Sequence, residues 1–181
     1  AIHGMMIEIT EHKRAERLLK ALNQTAQAVD GTFAPNEIFA VVAEELRKLG
    51  VLCAIFLTDE THSRLSPQYL SFEPGAIEAV ERLVGVKWSN FSFPIAKVDL
   101  YRKVVWERKT VFLDDIEAPL WQLLPRFTKH FAGQILRILK MTKAIAAPFI
   151  VEDKVIGALY VQSNNLVEED TPLVTAFAHQ V

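Results

Sequence analysis

Apolar and polar positions divide the chain into segments with two different periods. Between Glu11 and Val29 the seam positions Ala15, Leu18, Leu22, Thr25 and Val29 fall three and four residues apart. This is a heptad pattern of about two repeats, widened by Leu19 and Ala26. The opposite face is charged from Glu11 to Arg17, so the spacing predicts a helix that packs on its own domain or on a second copy. Gly31-Thr32 breaks that helix. Pro35 then opens a second one, with Ile38, Val41, Val42, Leu46 and Leu49 on its apolar face and Gly50 as its stop. Val51–Thr58 reads as a buried strand, Asp59–Ser63 as a polar turn, and Arg64–Phe72 as a second strand. Pro67 puts that second strand at an edge or a bulge.

The middle of the chain is mostly helical. Pro74–Val84 forms an amphipathic helix closed by Gly85. Val86–Pro94 is aperiodic but rich in rings, and Val98–Arg108 returns to helical spacing. A short strand, Thr110–Leu113, precedes helices at Leu120–Leu124 and Phe127–Lys140, which Pro125 separates. In the second of these, Phe127, Phe131, Ile135, Ile138 and Leu139 are expected on one apolar side. Thr142–Val151 and Lys154–Ser163 are apolar strands joined through Glu152-Asp153, the clearest hairpin in the chain. A last helix starts at Pro172 with Thr171 as its cap. Hairpins outnumber crossovers. The expected class is therefore α+β: an antiparallel sheet flanked by helices, with long N- and C-terminal helices.

Composition narrows the functions. The 181 residues carry 20 Lys+Arg against 22 Asp+Glu, a net charge of −2, which points to neither nucleic acid nor a membrane surface. No apolar run approaches the roughly 20 residues of a membrane span. The single cysteine, Cys53, can form no internal disulfide and no Cys-based zinc site, which suits the cytoplasm. The histidines are scattered, and the acidic pairs fall at turns and helix starts, where they serve the backbone better than a metal. Neither a glycine-rich phosphate loop nor a Gly-x-Ser-x-Gly elbow occurs, so no catalytic residue is assigned. The chain starts without Met and stops at Val181 inside an amphipathic pattern, as expected of a piece of a longer protein.

One stretch departs from the neutral total. Between Glu117 and Glu152 there is no acidic residue, while Arg126, Lys129, Arg137, Lys140 and Lys143 are basic. Either this is a solvated face over a core stripe, or Arg126, Lys129 or Lys143 guards a pocket for an anionic ligand.

From about Phe33 onward the residues resemble a GAF domain. The resemblance is carried by Ala147-Pro148-Phe149, Gly157-Ala158-Leu159, and Glu169-Asp170 before Ala176-Phe177-Ala178-His179-Gln180-Val181. Ile7-Glu8-Ile9-Thr10-Glu11-His12-Lys13-Arg14-Ala15-Glu16 resembles the closing strand and exit helix of a PAS domain. Residues 1–30 are thus expected to be a PAS tail and signalling helix, and 31–181 a GAF sensory domain. The order resembles that of sensor histidine kinases, although neither a phosphoacceptor helix nor an ATP-binding domain is recognisable.

The resemblance implies a small-molecule ligand of unknown identity, held between the sheet and the middle helices. By position it implicates Phe72, Trp88, Phe91, Phe93, Trp121, Phe127 and His130. It also implies a homodimer through the terminal helices, with Leu18, Leu22, Thr25 and Val29 in the seam, and no contact with nucleic acid or membrane. The residues give little support to known GAF cofactors. Cys53 lies in an apolar strand without the Cys-His pair of bilin-binding members, and His130 alone is weak ground for haem. Asn164-Asn165 precedes Glu168-Glu169-Asp170 without the Lys and Phe of the cyclic-nucleotide signature. A relative of the methionine-sulfoxide-reducing GAF enzymes would need reactive cysteines. The competing expectation is a ligandless GAF domain acting as a dimerisation and spacer module.

Overall fold

The structure, a computed structural model, describes residues 50–179 together with 40, 43, 44, 46 and 47. The expected PAS tail, the signalling helix and the seam residues Leu18, Leu22, Thr25 and Val29 lie outside the described residues.

Six strands pair antiparallel in one sheet: β1 (Leu52–Thr58), β2 (Arg64–Leu70), β3 (Phe93–Pro94), β4 (Val111–Leu113), β5 (Ala144–Val151) and β6 (Lys154–Gln162). Their spatial order is β3-β2-β1-β6-β5-β4. Beside them lie helices α1 (Pro74–Val84), α2 (Asp99–Tyr101), α3 (Glu117–Leu123), α4 (Ala132–Leu139) and α5 (Thr171–Ala178). The expected α+β class is the one observed.

Because strand side chains alternate, β1, β5 and β6 build two different cores. Cys53, Ile55, Ala147, Leu159 and Val161 point to one face and pack against Ala43, Leu46 and the Val174, Phe177 and Ala178 side of α5. Ala54, Phe56, Ala146 and Ala158 point to the other, toward Leu100, Tyr101 and Val104. A smaller cluster of Val84, Leu124, Ala132 and Ile135 ties α1 to α4 on that second side.

Local chemistry sets the element ends. Gly50, at φ 70°, donates its N–H to Arg47 O at 2.9 Å, while Val51 N–H reaches Leu46 O at 3.0 Å. This paired closure is a Schellman motif, and it turns the chain directly into β1. The Asp59 carboxylate accepts from the Ser63 and Arg64 N–H groups at 2.8 and 3.0 Å and from the Thr61 hydroxyl at 2.8 Å. Those bonds, the one from Arg64 N–H foremost, hold its pKa down at about 2. Pro67 resolves as a bulge: Ile55 pairs Tyr69 but Phe56 pairs Pro67, so Gln68 is the extra residue. The β5–β6 hairpin closes through Glu152 and Asp153 at φ 47° and 62°, the left-handed pair a two-residue turn requires. Arg108 steadies it, donating to Asp153 Oδ1 at 2.7 Å and to Asp153 O at 2.8 Å.

Three expectations need correction. Val98–Arg108 is not one α-helix: α2 passes into a wider turn over Arg102–Trp106, where Glu107 N–H bonds back to Arg102 O. That π geometry lets Tyr101, Val104 and Val105 all be buried. Phe127–Lys140 is likewise divided, into a 3₁₀ segment at Arg126–Phe131 and then α4. The change of period puts Thr128, Ala132 and Ile135 inside and leaves Phe127 71% exposed. Thr171 is not a cap, because a 3₁₀ turn at Glu168–Asp170 runs straight into α5. Buried Asp170, third in that turn, reaches back to its start, its Oδ2 accepting from Val167 N–H at 3.0 Å.

Candidate functional site

On the α1–α4 side the sheet is incompletely filled. Register aligns Ala54, Tyr160 and Ala146 across β1, β6 and β5, so a single large side chain stands between two alanines. Of the three, Ala54 and Tyr160 form the floor of the space. Val80 and Val84 of α1 close the space from above, with Leu120 of α3 and Ile135 and Leu139 of α4. The result is a cavity of about 150 Å³ with almost wholly apolar walls. An apolar space of that size accommodates a benzene-sized molecule.

Its aromatic side is held by one carboxylate. Glu81 Oε2 accepts from Lys87 Nζ at 2.8 Å, and Oε1 accepts from Trp88 N–H at 2.8 Å. The Lys87 bond, then the Trp88 N–H, lowers the Glu81 pKa and keeps it charged. This fastens the Trp88 segment to α1. The Trp88 ring stacks on Phe91 at 5.4 Å and meets Phe56 edge-on at 6.1 Å. Its indole Nε1 is buried without a hydrogen-bond partner among the described residues. An unpaired buried donor costs about 1–3 kcal/mol, which a ligand acceptor reaching it would recover. Tyr101 and Tyr160 also line the cavity, and burial pushes both phenols well up. They stay neutral donors at physiological pH.

A second space, about 490 Å³, lies on the outer side of this wall. Arg64, Lys97, Arg126 and Lys129 line it with Ser92 and Gln122, and no carboxylate does. Arg64 is oriented by Ser92, donating from Nε to Oγ and from Nη2 to the carbonyl, both at 2.9 Å. Lys129 Nζ sits 3.2 Å from the centre of the Trp121 ring. The groove and the cavity share Phe91, Leu123 and Leu124.

The residues expected at the site therefore separate. Phe72, Trp88 and Phe91 line the cavity. Phe93, Trp121, Arg126 and Lys129 line the groove instead, with Phe93 only 4% exposed. Phe127, His130 and Lys143 line neither space. His130 is exposed, its ring 3.9 Å from Phe131. Cys53 faces the opposite side of the sheet, and burial raises its pKa to about 11, against a smaller lowering by Ser71. Among the described residues no cluster of three His, Cys, Asp or Glu side chains could hold a metal. Nor is any helix there long and apolar enough to cross a membrane. Sequence reasoning missed Tyr160, Tyr101, Glu81, Arg64 and Lys97. For Tyr160 a signal existed: a large polar-tipped ring alternating with Leu159 and Val161, opposite alanines.

Sheet order, flanking helices and a cavity between them define an α+β module of one antiparallel sheet with helices beside it. The sequence matches the GAF domain family over residues 34–181, and the chain belongs to that family. Solved structures agree on the fold. A protein described as a GAF sensor from Burkholderia vietnamiensis is 16% identical, with a TM-score of 0.63 over 92% of each chain. The GAF domain of a phosphoenolpyruvate-protein phosphotransferase from Coxiella burnetii is 17% identical, at 0.62 over 91% of this chain and 90% of that one. The fRMsr of Staphylococcus aureus in complex with its substrate is 16% identical, at 0.61 over 90% and 92%. Among curated proteins no sequence matches.

Proposed function

We propose that this chain is a sensory and regulatory domain of a multidomain signalling protein, a sensor histidine kinase by the resemblance of its first residues to a PAS tail. A small molecule occupies the cavity over Tyr160, and the change is relayed through terminal helices paired in a homodimer. The domain itself catalyses nothing and works in the cytoplasm. The observation that carries the reading is the apolar cavity itself, roofed by α1, α3 and α4 and floored by Ala54 and Tyr160. Well-packed interiors leave few spaces of this size. The likeness to a GAF sensor and to the GAF domain of a phosphotransferase supports the regulatory part. A ligand acts here only through different affinities for two arrangements of the helices.

The fold also serves an enzyme, fRMsr. A thiol mechanism on this chain would have to use Cys53, which lies on the other face of the sheet with its pKa raised to about 11. The scarcity of polar groups in the cavity favours a second reading, a ligandless dimerisation spacer. Native mass spectrometry of the gently purified chain separates them, since it weighs the assembly and any retained molecule together. A dimer carrying a small-molecule mass is expected. An apo dimer that no compound stabilises would leave the spacer, and a monomer at high concentration with both terminal helices extended would remove the relay.

A further inference from the structure

We propose that the cavity and the cationic groove form one bipartite site, and that its ligand is a soluble amphiphilic anion: an apolar body about the size of one aromatic ring, ending in a carboxylate-like head. This rests on reading the cavity as a ligand pocket and adds the class of ligand it takes. The cavity has no place for charge. Glu81, its one carboxylate, is already bonded to Lys87 and to Trp88 N–H. An ionised group between those walls would exchange its hydration for neutral donors alone, the Trp88 indole and the Tyr101 and Tyr160 phenols, with no free cation beside it. A charged ligand must therefore keep its head outside the cavity.

The groove supplies what the cavity lacks. Arg64, Lys97, Arg126 and Lys129 surround one space that no carboxylate lines, and none of the four makes a salt bridge among the described residues. The adjacent acid, Asp99, is bonded to Arg102 and accepts from Gln122 Nε2 at 2.8 Å. Like charges gathered around one space repel one another, and an anion between them turns that repulsion into attraction. Guanidinium groups fit a carboxylate with two parallel bonds, and Ser92 and Gln122 add neutral partners at the same rim. Phe91, Leu123 and Leu124 belong to both walls, so the two spaces adjoin. Phe91 also stacks on Trp88, so a molecule crossing that boundary must disturb a tryptophan.

The test uses matched probes on the full chain, 4-phenylbutyrate against neutral 4-phenylbutanol, with inorganic phosphate as a head-only control. Tryptophan fluorescence and calorimetry read binding. The acid is expected to bind about tenfold more tightly than the alcohol, the yield of two partly exposed ion pairs. The Arg126→Gln/Lys129→Gln variant, which leaves Arg64 and Lys97, should shrink that difference severalfold, and high salt should erase it. Val80→Phe, which fills the cavity, should weaken acid and alcohol alike; Ile77→Phe replaces it if thermal melting shows Val80→Phe unfolded. Equal binding of acid and alcohol, with both lost in Val80→Phe, would leave the pocket standing and overturn the anionic class. Acid and phosphate binding equally, untouched by Val80→Phe, would mean separate sites and also overturn it. Sedimentation with anionic phospholipid vesicles, again untouched by Val80→Phe, would place the cations at a membrane surface and do the same. If neither probe binds, the proposal and the pocket reading fall together.

Discussion

Gly157→Ala puts the central strand pair to a direct test. A Cβ built on Gly157 would lie 2.1 Å from Phe56 O, 2.9 Å from Leu57 Cδ2 and 3.2 Å from Leu57 Cα. The leucine tip can rotate away; the carbonyl cannot. Non-bonded carbon–oxygen contacts settle near 3.3 Å or beyond, so β1 and β6 must separate locally by about 1 Å. Position 157 sits between Leu57 on β1 and Phe149 on β5, so the movement strains both ladders. Overpacking of this kind costs about 1–3 kcal/mol, and a weakened ladder hydrogen bond adds about 1 kcal/mol. We expect a loss of about 3 kcal/mol, or a fall in Tm of roughly 6–12 °C for a chain of this size. Urea unfolding followed by far-UV circular dichroism should show a lower midpoint at unchanged m. Gly133→Ala makes the same chemical change on α4, where nothing lies within 4 Å of the new methyl. It should be neutral or stabilising by up to about 1 kcal/mol. If the two variants unfold at the same urea concentration, the close approach of β1 and β6 is not as described.

Other perturbations have defined outcomes. Glu152→Asn places a residue tolerant of positive φ in the hairpin turn and leaves the Arg108–Asp153 contact in place. It should raise stability by about 0.5–1 kcal/mol, read from the urea midpoint. Asp59 has a folded pKa of about 2, below its ordinary value near 3.8, so its stabilisation is complete above that ordinary value and lost as pH falls through about 2. Asp59→Ala should flatten that part of the acid-unfolding curve while leaving the curve above pH 5 parallel to wild type. Cys53, with its pKa raised to about 11, should resist iodoacetamide at pH 8 in the native protein and react fully in denaturant. Fast native labelling would mean that the β1 face opens.

Much of the frame was legible in the residues. Two apolar runs joined through Glu152-Asp153 mark β5 and β6, Gly50 and Gly85 stop helices through the left-handed conformation, and Pro67 announces a bulge. These are local instructions, readable without neighbours. What failed depended on phase or on space. Phe127 reads as a core residue only if the segment is α-helical from its start, and a 3₁₀ opening rotates it outward. The cavity is written in what is missing, since Ala54 and Tyr160 become its floor only once register sets them side by side under the helices. The basic run revealed Arg126 and Lys129, but Arg64 and Lys97 reach the same groove from elements far earlier in the chain.

The two-sided use of β6 sets a length scale. Tyr160 looks into the cavity, and its neighbours Leu159 and Val161 look the other way, into the packing around α5. A partition one peptide thick separates the two compartments, with no cushioning layer of side chains between them. Densely packed interiors deform little, so a shift of that partition toward α5 must be taken up there and not absorbed on the way. The distance from the cavity to the packing around α5 is that of adjacent residues on one strand.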